Sequence, residues 1–182
     1  HDPESEVGIG RDARAELGAQ DLLAPQAADE RVHDVHGHRA AVGLAAKDLK
    51  YRFQWNAPIR ISPHDPDVLY HTSNVVHRSK DRGQSWEVIS PDLTRDDESK
   101  QEASGEPITH DNTGVEVYGT IFAFEESPLT RGLLWAGSDD GRVHVSRDGG
   151  KSWKDVTPAR MPDWGQVNAI DPSRRDPARA LV

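Results

Sequence analysis

The hydrophobic residues of this chain fall into short runs that are rich in aromatic and β-branched side chains and are separated by Pro, Gly and Asp. Short runs of this composition between turn-forming residues are typical of antiparallel β-strands. The pattern therefore predicts an all-β fold, with strands at 57–62, 68–73, 74–79, 85–90, 118–125, 133–138, 142–146 and 152–157.

The first 50 residues lack this pattern. They contain no Phe, Tyr or Trp and are rich in Ala, Asp, Glu, Arg and His. They therefore have little apolar surface to offset the entropy that is lost on ordering. We expect residues 1–46 to form a poorly structured leader, which is either a genuine divergent segment or the product of a reading-frame slip in the gene sequence. The chain also begins with His, which is typical of a fragment or a processed product.

The most informative pattern is a repeat. The stretch SRDGGKSWKDVTP, at 146–158, corresponds to SKDRGQSWEVISP, at 79–91, and both contain S-x-D-x-G-x-S-W. In such a turn the aspartate accepts backbone N–H groups, the serine closes the loop with its side chain, and the glycine adopts a positive φ. The tryptophan then begins the next strand. We expect these repeated residues to be structural: Ser79, Asp81, Gly83, Trp86, Ser146, Asp148, Gly150 and Trp153.

Each motif lies between the third and fourth strands of a four-stranded unit, at about 51–91 and 118–158. A third unit begins within 164–182, where IDPSRRDPARALV matches ISPHDPDVLY and ESPLTRGLLW. Residues 47–182 are therefore expected to be one domain of repeated units. The loop between the first two units, 92–117, is charged and is expected at the surface. It is either a solvated insertion or a loop that covers a binding face.

The S-x-D-x-G-x-S-W turn resembles the Asp-box, or BNR repeat, of β-propellers such as sialidases, xyloglucan-degrading glycosidases, sortilin-type ectodomains and photosystem II assembly factors. Residues 48–182, with DLKYRFQWNAPIRISPHDPDVLYHTSNVVHRSKDRGQSWEVISPDLT and GLLWAGSDDGRVHVSRDGGKSWKDVTP, look like the large bacterial sortilin-like BNR proteins often labelled glycosyl hydrolase. The resemblance implies a β-propeller fragment with two complete four-stranded blades and the start of a third. It also implies a periplasmic or extracellular location.

A propeller usually needs at least about four blades, because closure of the ring covers the faces and edges of the blades. We therefore expect the remaining blades to come from a longer chain or from a partner copy. In the resembled families the Asp-box aspartates, here Asp81 and Asp148, lie at the outer rim and away from the active site.

The weak candidates for catalysis are Glu116 and Tyr118, which lie two residues apart near the start of a predicted strand and therefore share a face. Sialidases use a Tyr–Glu nucleophile pair, so the resemblance gives this pair a possible role. The alternative is that both are strand-end residues that line a channel or pack. Sialidases also bind the substrate carboxylate with three arginines, whereas here only Arg52 and Arg60 are candidates for ligand binding. Asp111 is a further candidate carboxylate.

Composition argues against several kinds of site. With a net charge of -9 and no Cys, the chain is not expected to bind nucleic acid or anionic membranes, and it has no disulfide or thiol nucleophile. No apolar run reaches the ~18 residues of a membrane helix, and no glycine-rich phosphate loop is present. The histidines of HDVHGH, at 33–38, could bind a zinc or nickel ion, and the carboxylates of 110–112 and 139–141 could together bind calcium. Surface histidines and an ordinary turn are the simpler interpretations of these two segments, so we expect neither a metal nor a cofactor.

Two functions remain. The first is a binding or scaffold module for a protein, peptide or glycan ligand, which is favoured because every recognisable motif is architectural. The second is part of an exo-acting glycoside hydrolase, sialidase-like or xyloglucanase-like, whose two carboxylates lie mostly outside this chain. On its own the chain is expected to bind rather than to catalyse.

Overall fold

The structure is a computed structural model that describes residues 45–103, 105 and 117–182. Apart from its last two residues, the expected leader at 1–46 lies outside the described residues. So do the candidates Asp111 and Glu116 and the histidines of 33–38.

The described fold consists of two four-stranded antiparallel sheets and one two-stranded antiparallel sheet, all of them open. This confirms the all-β prediction. The described helices are two short 3-10 turns, Ala46–Asp48 and Glu98–Lys100, and no described helix is long and apolar enough to cross a membrane. In order along the chain and within each sheet, the strands are β1 (Ile59–Ser62), β2 (Asp65–Thr72), β3 (Val76–Ser79) and β4 (Glu87–Val88) in the first sheet, β5 (Ile121–Glu126), β6 (Leu134–Ser138), β7 (Val143–Ser146) and β8 (Lys154–Asp155) in the second, and β9 (Asp171–Pro172) and β10 (Ala180–Leu181) in the third.

The predicted strands lie in the right places, but several of their ends are wrong. β1 begins at Ile59 rather than at residue 57, since Pro58 has no N–H to contribute to a ladder. β2 begins earlier than predicted, because Asp65 pairs with Ser62 across a turn of two residues. β4 and β8 are only two residues long. The residues before them belong to the S-x-D-x-G-x-S-W turns.

The start of β5 also differs from the prediction. It begins at Ile121 rather than at residue 118, because the amides of Gly119 and Thr120 donate to the carboxylate of Asp139 instead of to a strand. Gly119 has a φ of 80°, which only glycine adopts readily. Hydrogen bonds to Asp139 thus replace the first residues of the predicted strand.

The first and second sheets pack face to face through an apolar core. The rings of Tyr70 and Phe124 lie 5.1 Å apart in this core. The indole nitrogen of Trp153 donates to the carbonyl oxygen of Ile89 at 2.9 Å, so the second sheet is also hydrogen-bonded to the first. A Cβ at Gly150 would lie 2.7 Å from that same oxygen, so the close approach requires glycine. The buried residues of this core are Tyr70, Val76, Ile89, Leu93, Ile121, Phe124, Leu134 and Ala136.

The opposite face of the second sheet packs against the segment that leads into β9. Because strand side chains alternate, residues neighbouring those of the first core form this second one. Gly137 is required here, since a Cβ would lie 2.8 Å from the Val167 Cβ and closer still to its Cγ1. The second core comprises Ala123, Leu133, Trp135, Val143, Val145, Val167 and Ile170. The three sheets are therefore stacked in the order of the chain.

Candidate functional site

The predicted turn residues form closed hydrogen-bond systems. The Ser79 hydroxyl accepts from the amide of Gly83 at 2.7 Å and donates to Asp81 Oδ1 at 2.7 Å. Asp81 Oδ1 and Oδ2 then accept from the amide and hydroxyl of Ser85 at 2.8 and 2.5 Å. These bonds to Ser85 and Ser79 lower the pKa of Asp81 to about 2. Both oxygens of the Asp81 carboxylate thus accept hydrogen bonds from residues of its own turn.

The second turn has the same bonds. Ser146 Oγ accepts from the amide of Gly150 at 2.8 Å and donates to Asp148 Oδ1 at 2.9 Å. Asp148 accepts from the amide and hydroxyl of Ser152 at 2.9 and 2.6 Å, which lowers its pKa to about 2. The roles of Ser85 and Ser152 were not predicted, although both copies of the motif contain this second serine.

A second group of polar and aromatic side chains lies at the other end of the strands, where β2 and β6 end and β5 begins. Residues 92–103 of the long loop cross this end. We call the group formed by Arg95, Lys100, Tyr118, Asp140 and Trp164 the insertion rim. It is separated from the two turns by the length of the strands.

Trp164 is the centre of the insertion rim. Its ring stacks on that of Tyr118 at 6.3 Å with an interplanar angle of 25°. The Arg95 guanidinium lies over the same ring at 4.6 Å and the Lys100 ammonium at 5.5 Å. Trp164 is 37% exposed and has a φ of 61°, a left-handed conformation that is costly for a bulky residue. A partly exposed aromatic ring in a strained loop is typical of a recognition site.

Arg95 connects the loop to the second sheet. Its amide donates to Asp140 Oδ2 and its Nε to the Asp140 carbonyl oxygen, both at 2.7 Å. The Asp140 side chain also accepts from the Ser138 hydroxyl. Burial, reinforced by the charges of Asp140 and Asp139, raises the pKa of Tyr118. The predicted candidate Tyr118 is therefore a half-buried neutral phenol that packs on Trp164.

Asp139 lies beneath the insertion rim and is only 6% exposed. Its carboxylate accepts from the amides of Gly119 and Thr120 at 3.1 and 2.9 Å and from the Thr120 hydroxyl at 2.8 Å. Burial nevertheless raises its pKa to about 6. In the described part of the chain no group of three His, Asp or Glu residues is placed to hold a metal, so 139–141 does not complete the considered calcium site by itself. Its other half, 110–112, lies outside that part.

The two candidate arginines have different environments. Arg52 is 4% exposed, and its guanidinium contacts Asp92 at 2.6 Å, Asp96 at 3.0 Å and the Gly119 carbonyl at 2.9 Å. It therefore holds the loop against the start of β5 rather than facing solvent. Arg60 forms an ion pair with Glu125 at 2.5 Å on the partly exposed surface between the sheets. The two arginines share no partner among the described residues, so they do not form a carboxylate-binding cluster there.

No protein-family model and no curated protein matches this chain. The functional assignment therefore rests on the chain's own residues.

Proposed function

We propose that the chain is part of an Asp-box β-propeller in which the first two sheets are consecutive blades and β9–β10 begin a third. The two four-stranded sheets have the same strand order and the same hydrogen bonds in the turn before the fourth strand. Each sheet also packs on the next in the order of the chain. These shared features support an arrangement of repeated blades.

The outer face of the first sheet supports the same arrangement. Ile59, Ile61 and Val88 are 46%, 65% and 44% exposed there. In the second sheet, the face that includes Phe124 and Leu134 packs on the first sheet. By analogy, a further blade from a longer chain or a partner copy covers this outer face, since exposed apolar surface of this kind favours contact.

The proposed function is a binding or scaffold module of an exported protein, with the insertion rim as the recognition surface for a protein, peptide or glycan. The observation that carries this proposal is Trp164, which is exposed and strained yet supported by Tyr118, Arg95 and Lys100. Loops on rigid sheets commonly carry function, and a ring that presents one apolar surface beside polar groups suits ligand recognition.

The test is a screen of peptide and glycan arrays, followed by titration of the best ligand. We expect Trp164→Ala to weaken binding by at least about tenfold, the loss typical of a buried aromatic contact. Leu129→Ala is the control, because Leu129 is 45% exposed at the opposite end of the sheets. Equal binding by wild type and Trp164→Ala, with both variants folded, contradicts the proposal.

The second candidate is the glycoside hydrolase. It is favoured by Asp139, whose pKa of about 6 is suited to a general acid. However, both carboxylate oxygens of Asp139 already accept hydrogen bonds, from the Gly119 amide and the Thr120 hydroxyl, which favours the binding module. Hydrolysis of fluorogenic sialosides or xyloglucan oligosaccharides that is abolished by Asp139→Asn or Glu116→Gln would favour the enzyme.

A further inference from the structure

Two histidines are buried side by side on the outer face of the first sheet. His71 is 5% exposed and His77 is 1% exposed, and their ring centroids lie 6.4 Å apart. His71 Nδ1 lies 3.2 Å from the Pro58 carbonyl oxygen, so it carries the proton and donates. His77 Nε2 is hydrogen-bonded to the Ser73 hydroxyl at 2.9 Å. Each ring thus has one neutral hydrogen-bond partner.

The segment 51–53 covers both rings. Phe53 stacks on His71 at 5.3 Å and on His77 at 6.0 Å, and Tyr51 contacts His77 edge-on at 4.9 Å. Arg52, between them, forms the ion pairs with Asp92 and Asp96 that hold the loop of the insertion rim. Three consecutive residues therefore connect the histidine pair to the rim.

Among the described residues, no charged group compensates for protonation of these rings. The described titratable groups that face them are the other imidazole and the Tyr51 phenol, while Trp86 contributes an uncharged ring 6.3 Å from His71. Lys50 lies over the Tyr51 ring at 5.2 Å, which adds a positive charge. No described carboxylate is hydrogen-bonded or ion-paired to either imidazole. Burial lowers the pKa of both, for His77 to about 3 with a further contribution from His71.

We propose that protonation of His71 and His77 displaces the segment 51–53 and thereby releases the Arg52 ion pairs that hold the insertion rim. This histidine device, in which protonation of His71 and His77 displaces residues 51–53, makes the insertion rim acid-sensitive. Only the effect of that opening on ligand binding rests on the proposed function. Through His77, the open state gains up to about tenfold in population for each pH unit below the ordinary histidine pKa of about 6.5. At pH 4.5 His77 alone favours opening by up to about 10²-fold, and His71 adds to this in the same direction.

The movement can be measured without a ligand, because the chain has no Cys and accepts spin labels at chosen sites. The reporter pair is Trp55→Cys with Leu129→Cys, which are 68% and 45% exposed. The reference pair is Ile61→Cys with Leu129→Cys, since Ile61 is 65% exposed on β1. By double electron–electron resonance, we expect the reporter distance to broaden between pH 7.5 and pH 4.5 while the reference distance stays narrow.

The histidines are tested by His71→Gln with His77→Gln in the reporter background, where the distance is expected to stay narrow at pH 4.5. His144→Gln is the matched control, because His144 holds the same register position in β7 as His77 in β3, and it should broaden as the parent does. As a second measurement on the unsubstituted rings, histidine NMR should show both imidazoles titrating together with the broadening. A reporter distance unchanged at pH 4.5, or equal broadening in the double variant, overturns the device. Broadening of the reference pair also overturns it, since the sheets then unfold together.

Rim binding and the device fail separately. Ligand affinity that is insensitive to Trp164→Ala, with a reporter that still opens at pH 4.5, refutes the rim alone. A reporter that stays closed, with affinity lost in Trp164→Ala, refutes the device alone.

Discussion

Two aspartates show that hydrogen bonding alone does not set a carboxylate's pKa in this protein. Asp148 and Asp139 each accept three hydrogen bonds from serine or threonine hydroxyls and backbone amides. The pKa of Asp148 falls to about 2, whereas that of Asp139 rises to about 6. Asp148 is exposed in a turn, while Asp139 is buried beneath the rim, so desolvation of the charged form reverses the direction.

This difference predicts the pH dependence of Asp139→Asn. The pKa of Asp139 is higher in the folded than in the unfolded state, so the folded state binds more protons between about pH 4 and pH 6. Wild-type stability therefore falls as pH rises through this window, and asparagine, which cannot ionise, avoids the loss. We expect the stability of Asp139→Asn relative to wild type to increase from pH 4 to pH 7 by up to about 3 kcal/mol, measured by urea unfolding.

Asp148→Asn is the matched control, with the opposite sign. In the wild type, the folded-state pKa of Asp148 is depressed, so the carboxylate stabilises the fold above pH 4 and this contribution is lost as pH falls towards 2. The variant should therefore be less stable than wild type at pH 7 and approach it below pH 4. Parallel pH profiles for the two variants would refute the assignment of opposite shifts.

At the scale of elements, the sequence predicted the strands because alternation and turn residues are local signals. It did not predict their ends, which depend on side chains distant in sequence. Asp139 removes the amides of Gly119 and Thr120 from β5 across about 20 residues. The sequence offered the loop 92–117 and Tyr118 as candidates but not the contacts of the insertion rim, for the same reason: Arg95 and Asp140 are 45 residues apart, and only the path of the loop brings them together.

Gly137 in β6 provides a test of how closely the second sheet packs. A methyl group there would overlap Val167, so Gly137→Ala should destabilise the fold by about 1–3 kcal/mol through overpacking. The double variant Gly137→Ala/Val167→Ala should recover part of this loss, because the second change removes the overlapping atoms. Urea unfolding of both single variants and the double variant gives the coupling. Additive losses would show that the contact does not limit packing.

At the scale of the molecule, the two copies of the motif differ in what their tryptophans bind. Trp86 Nε1 donates to the Gly83 carbonyl in its own turn at 3.1 Å. Trp153 Nε1 donates instead to Ile89, in the neighbouring sheet. The motif therefore has a local role in the turn and a second role between sheets. The sequence indicated only the first, because one copy gives no information about the sheet beside it.

Substituting each tryptophan with phenylalanine separates these roles. Trp153→Phe leaves the buried Ile89 carbonyl without its donor, so we expect a loss of about 1–3 kcal/mol in the free energy of unfolding. Trp86→Phe should cost less than half of that, since Gly83 lies in a partly exposed turn where water replaces the donor. If a further blade packs on the first sheet in a longer chain, Trp86→Phe should cost as much there as Trp153→Phe. Urea unfolding of this chain and of a longer one, each with both variants, measures the two differences. Equal costs in this chain would mean that the indole bonds do not join the sheets, and the stacked-blade interpretation would lose its main polar contact.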